Sequence, residues 1–153
     1  MKNKFFLFVL LTVLLSGCSM IEHFIIVNES ASDITIEYEL YDPGNRFPLF
    51  HDSPTAYKIS KSGSVEWSTD VELKDTDTAD FSVKMVLPSG SALVIGSLMN
   101  QTYGKYDQVF YNDRYFNLKT MKIKKGNIIT EITPGTFDDN FKKKSGQMIC
   151  KIK

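Results

Sequence analysis

Hydrophobic residues recur along most of the chain with a period of two. Ile34, Ile36, Tyr38 and Leu40 alternate with Asp33, Thr35, Glu37 and Glu39, the pattern of a half-buried strand with a solvated acidic face. Phe81, Val83, Met85 and Leu87 alternate with Ser82, Lys84 and Val86 in the same way. The turn cluster Pro88-Ser89-Gly90-Ser91 predicts that this strand is joined to Leu93-Val94-Ile95 as a hairpin. A second hairpin is predicted where Gly126-Asn127 separates Met121-Lys122-Ile123-Lys124 from Ile128–Ile132, because Gly-Asn is the chemistry a two-residue hairpin loop requires. Further strands are expected at Phe24–Val27, Tyr57–Ser60, Val65–Ser68, within 108–118, and at Gln147–Ile152.

Short strands with regular punctuation predict an all-β fold, a single antiparallel β-sandwich of about 7–9 short strands, with a small β-barrel as the alternative. No segment supports a long helix. Trp67 alternates with Glu66 beside Val65 and is expected in the core. Asn28-Glu29-Ser30-Ala31-Ser32 is expected as a polar turn between the first two strands, so the formal glycosylation sequons at Asn28 and Asn100 read as turn residues.

The N-terminus follows a different rule. Lys2 and Lys4 precede Phe5–Leu15, eleven residues of which ten are apolar. That stretch is shorter than the roughly 20 apolar residues a bilayer span needs and suits the core of a signal peptide. Leu15-Ser16-Gly17-Cys18 follows at once and resembles the lipobox of bacterial lipoproteins. The resemblance implies removal of residues 1–17, acylation of Cys18, and a membrane held as partner through those acyl chains. It also implies that 18–23 is a lipidated terminus with a short tether and 24–153 the domain. In a bacterium with two membranes, Ser19 after the cysteine implies delivery to the outer membrane. The turn after the first strand resembles the opening hairpin of small bacterial β-sandwich lipoproteins.

Composition fits one ordinary globular core: 153 residues, 42% hydrophobic, with two cysteines, which excludes disordered, collagen-like and disulfide-framework classes. With Cys18 consumed by lipid, Cys150 has no intramolecular partner and is expected to be buried between Ile149 and Ile152. The zero net charge conceals two blocks, because residues 18–80 are strongly acidic and 81–153 strongly basic. The simplest account interleaves acidic and basic strands in space, with Glu37 and Glu39 facing lysines such as Lys122 and Lys124.

Catalytic and metal-binding patterns are sparse. His23 and His51 are the only histidines, too few for a structural zinc site, and His51-Asp52-Ser53 are consecutive, so they do not converge on one reacting atom. Asp75, Asp77 and Asp80 lack the glycine and closing glutamate of a calcium loop and read as an acidic turn. Lys142-Lys143-Lys144 reads as a solvated loop, with no nucleic-acid role. No phosphate cradle is present, and no cofactor is expected.

Aromatic clustering supplies the candidate binding surface. Residues 42–56 read as a stiff proline-bearing loop presenting Phe47, Leu49 and Phe50, and a second cluster offers Tyr103, Tyr106, Tyr111, Arg114 and Tyr115. These residues lead to an expected lipid-anchored, non-catalytic binding or assembly module of the cell envelope, with a protein or glycan partner. Alternatives are an inhibitor or secretion-assembly lipoprotein, similar in size and anchor to β-rich lysozyme inhibitors and to the sandwich lipoprotein of type VI secretion. An envelope polysaccharide enzyme near Asp107 or Asp113 and a hydrophobic-ligand carrier in a barrel complete the set.

Overall fold

A computed structural model of the chain describes residues 20–79, 81–105, 108, 110–111 and 113–153. The alternating segments form strands where their spacing places them: β1 (Ile21–Asn28), β2 (Ile34–Leu40), β3 (Phe47–Pro48), β4 (Phe50–Ile59), β5 (Val65–Val71), β6 (Lys74–Ala79) and β7 (Ser82–Leu87). The second half supplies β8 (Ser91–Met99), β9 (Arg114–Tyr115), β10 (Leu118–Lys125), β11 (Ile128–Ile132), β12 (Lys142–Lys144) and β13 (Gln147–Ile152). A 3-10 turn at Pro134–Thr136 runs into a one-turn helix, α1 (Phe137–Asn140).

Two sheets pack face to face as an all-β sandwich, one six-stranded in the order β12-β13-β1-β8-β4-β5 and one five-stranded in the order β11-β10-β2-β7-β6. They do not close, so the barrel alternative is set aside. Pairing is antiparallel except between β1 and β13 and in the small β3–β9 ribbon. The inward residues of both sheets form one core, including Phe24 and Ile26 of β1, Ile36 and Tyr38 of β2, and Met85 of β7. One end of that core is closed by α1. Phe137 lies edge-on to Phe116 at 5.1 Å and Phe50 at 5.7 Å and stacks on Phe141 at 4.2 Å.

The β10–β11 hairpin forms as predicted, with Lys125 opposite Ile128 and Gly126 at φ 57° in the first loop position. The 88–91 hairpin does not form. β7 pairs with β2 and β6, β8 pairs with β1 and β4, and the turn carries the chain from one sheet to the other. The segment after β1 is likewise a crossover, since β1 and β2 belong to different sheets. The two crossovers clasp each other. Buried Asn28 donates to the carbonyls of Leu87 and Ser32 and accepts from the amide and hydroxyl of Ser30, while Gly90 N–H donates to Asn28 O.

Other expectations are corrected in the same way. Most of 42–56 is strand: β4 starts at Phe50, and the proline is carried in an irregularity between Phe50 and Thr55 where the register with β8 shifts. The acidic turn is replaced by β6, which holds Asp75 and Asp77, while Asp80 lies outside the described residues. The lysine run is the edge strand β12, where three cations guard an exposed sheet edge. Cys150 is buried on the core side of β13, as expected.

Candidate functional site

The eight residues of the aromatic surface do not stay together. Leu49, Phe50 and Tyr103 belong to the core and are unavailable to a partner, which corrects their assignment to a surface. Close passage of the backbone holds the first two there. A Cβ on Gly96 would lie 2.3 Å from Leu49 O, so glycine lets β8 approach this point. Tyr103 is held from both ends, its N–H donating to Glu22 at 2.9 Å and its hydroxyl to Asp138 at 3.2 Å. Phe47 and Tyr111 are exposed, at 62% and 79%, and Arg114 and Tyr115 are partly so. Phe47 lies opposite Arg114 and Pro48 opposite Tyr115 in the β3–β9 ribbon, and the Arg46 guanidinium sits 3.5 Å above the Tyr115 ring. Tyr106 and Cys18 lie outside the described residues.

A stronger contrast separates the two outward faces of the sandwich. On the five-stranded sheet, Glu131, Lys122, Glu37, Lys84 and Asp77 stand in one row, each opposite the next across neighbouring strands. All five are exposed, and the sign alternates at every step. Glu37 faces Lys122 as predicted, whereas Glu39 stands opposite Thr120 and pairs with Lys119 at 2.8 Å, and Lys124 stands opposite Thr35. Such a face is at ease in water, where exposed pairs of this kind contribute little to stability.

The outward face of the six-stranded sheet is apolar. Ile25 and Val27 of β1, Ala92 of β8 and the flanking Ile59, Val65, Val94 and Ile149 form a second hydrophobic cluster, separate from the core. Trp67 belongs here and is 48% exposed, not buried, so its assignment to the core is corrected. Its ring packs against His23 at 4.8 Å and Tyr57 at 5.3 Å. Alternation along β5 did not reveal its direction, because Tyr57 and Lys58 straddle a register shift between β4 and β5 and both faces of the sheet carry apolar residues.

The turn between β4 and β5 folds over this face, bringing Gly63 beside the Glu29–Lys151 ion pair. With the β12–β13 turn it bounds a groove of about 260 Å³ whose floor is Ile25, Val27 and Ile149 and whose wall is Trp67. Ser62, Ser64 and Gln147 supply hydroxyl and amide groups at its rim, and Lys144 and Lys151 supply positive charge. That volume lies just under the usual range for a pocket that encloses a small ligand. Beside it, burial lowers the pKa of His23 below the ordinary value and keeps the ring neutral at pH 7. Its Nδ1 is buried with no hydrogen-bond partner among the described residues.

A polar cluster that sequence reasoning missed lies at the β12 edge. Glu22 and Asp138 are both nearly fully buried, with Tyr103 bridging them, and Lys143 pairs with Glu22 at 3.2 Å. Lys142 donates to Asp138 O at 2.7 Å, so two members of the lysine run close the structure here. Through Tyr103 and Lys143 the buried Glu22 carboxylate joins β1 to the 103 segment and to β12. Nothing in the local sequence around Glu22 distinguishes it from an exposed strand residue. Among the described residues, no three His, Cys, Asp or Glu side chains converge as a metal site. No protein family, curated protein or solved structure matches the chain.

Proposed function

We propose that the chain is a lipid-anchored lipoprotein of the bacterial cell envelope, in the outer membrane where there are two, and that it acts as a non-catalytic binding module through the groove of the six-stranded sheet. The anchor rests on the N-terminal basic residues, the apolar stretch Phe5–Leu15 and the Leu15-Ser16-Gly17-Cys18 motif. The observation that carries the binding role is the apolar groove with Trp67 half exposed at its wall, on one face of a sandwich whose other face is a ladder of alternating charges. Ile25, Val27 and Ala92 are themselves covered, so the apolar surface left to a partner is that of Trp67 with the partly buried Val65 and Ile149. A fitting ligand lays an apolar face on Val65, Ile149 and the indole and offers hydrogen-bonding groups to Ser62, Ser64 and Gln147. An extended segment of an envelope protein, or a glycan strand stacked on Trp67, has that chemistry.

The test is affinity capture from crosslinked envelopes of the producing bacterium, comparing the native chain with Trp67→Ala. Because Trp67 is half exposed, the variant should keep its thermal unfolding temperature within a few degrees and lose most of the captured material. Undiminished capture by the folded variant would remove the groove from the account.

A further inference from the structure

We propose that the domain stands upright on the membrane, with the end that carries Met20, Ile21, Met99 and Tyr111 resting in the lipid headgroup layer. This rests on the reading of Cys18 as the acylated residue. The strand directions define the end. β1 starts there at Ile21, β8 finishes there with Met99 opposite Ile21, and the crossovers after Asn28 and before Ser91 lie at the other end with the Gly126-Asn127 turn.

The tether is short. Met20 N–H donates to Asn100 Oδ1 at 3.2 Å and its carbonyl accepts from Asn100 N–H at 2.7 Å, so the domain is already fixed at Met20. Only Ser19 separates it from Cys18. Two residue steps reach at most about 7 Å. Hydrocarbon and headgroups together measure about 40–45 Å against roughly 30 Å for the hydrocarbon alone, which leaves about 5–8 Å of headgroup layer on each side. With acyl chains in the hydrocarbon, a reach of about 7 Å holds Met20 within the headgroup layer or at its outer edge.

The surface around Met20 is suited to it. Met20 and Met99 are each 51% exposed, Ile21 40% and Tyr111 79%. Between Met20 and Tyr111 lies a hollow of about 470 Å³, whose described lining residues, Phe110 and Gln101 among them, are all uncharged. Apolar side chains with a tyrosine and amides are what an interfacial zone accepts. Strands of eight residues at about 3.3 Å each hold the opposite end ~25 Å away. In this orientation the Ser62 and Ser64 rim of the Trp67 groove points away from the bilayer, while its Gln147 end, bonded to Ile21 and His23, lies close to the headgroups.

The acylated full-length protein, reconstituted in phosphatidylethanolamine–phosphatidylglycerol vesicles, tests this. A Cys150→Ala background would receive Met99→Cys, Tyr111→Cys or Asn127→Cys, each labelled with an environment-sensitive fluorophore and exposed to lipids spin-labelled near the headgroup. The expected result is several-fold stronger quenching and blue-shifted emission at 99 and 111 relative to 127. Equal, weak quenching at all three sites on a protein that mass spectrometry shows acylated at Cys18 and that floats with the vesicles would overturn the orientation and leave the anchor standing. A terminus without acyl groups would overturn both together.

Discussion

The side chain of Asn117 completes the backbone of Phe50. Its Oδ1 accepts from the Phe50 N–H at 2.8 Å and its Nδ2 donates to the Phe50 carbonyl at 3.0 Å, so one buried amide stands in for the strand that β4 lacks at its first residue. The same oxygen accepts from Leu49 N–H at 3.1 Å. This arrangement turns the two residues into the core, where Phe50 meets Phe24 at 5.3 Å and Phe116 at 4.9 Å.

Asn117→Ala therefore leaves both polar backbone groups of Phe50 buried without their partner. Each unsatisfied group costs about 1–3 kcal/mol, so the variant should lose about 2 kcal/mol or more in urea unfolding. An Asn117→Ala variant within about 0.5 kcal/mol of the native chain would show that water or a shifted backbone satisfies Phe50 instead.

Local pairing was legible wherever one face is buried and the other wet. β2 was read residue for residue and β7 to within one residue, because Ile36, Tyr38, Val83 and Met85 face the core while Glu37 and Lys84 face water. The β10–β11 turn was legible because Gly126 supplies the positive φ that the loop requires. The identity of neighbouring strands was not legible at 88–91. Turn chemistry encodes a reversal, and here Asn28, remote in sequence, takes the Leu87 carbonyl that a hairpin partner would otherwise claim. The candidate site was misjudged for a similar reason. Aromatic density marked Phe50 and Tyr103 without saying which side of a strand they occupy, and Trp67 was placed inside because the sheet is apolar on both faces.

His23 makes stability depend on pH. Its pKa is ordinary in the unfolded chain and lowered by burial in the folded one. As pH falls through about 6.5, the unfolded state takes up a proton that the native ring refuses, so stability declines toward the lowered folded value and is fully restored above 6.5. Thermal unfolding between about pH 7.5 and 5.5 should show this decline, and His23→Gln should make it shallower. An identical slope in the variant would assign the effect to other groups.

Cys150 should be chemically silent in the native state. Burial pushes its thiol up to about 11, and the side chain is almost fully enclosed. At neutral pH, a thiol reagent should modify native protein at least about a hundredfold more slowly than urea-unfolded protein, because both thiolate and access are missing. Comparable rates would mean that the β12–β13 side of the sheet opens readily.

Site-specific photocrosslinking in the producing bacterium distinguishes the roles of the two outward faces. A photoreactive residue would replace Ser64 at the groove rim or Lys122 in the charge ladder, both in the full-length chain. Discrete adducts should form from position 64 and disappear when Trp67→Ala is added, and none should form from position 122. Adducts from position 122 with none from position 64 would contradict this division of roles.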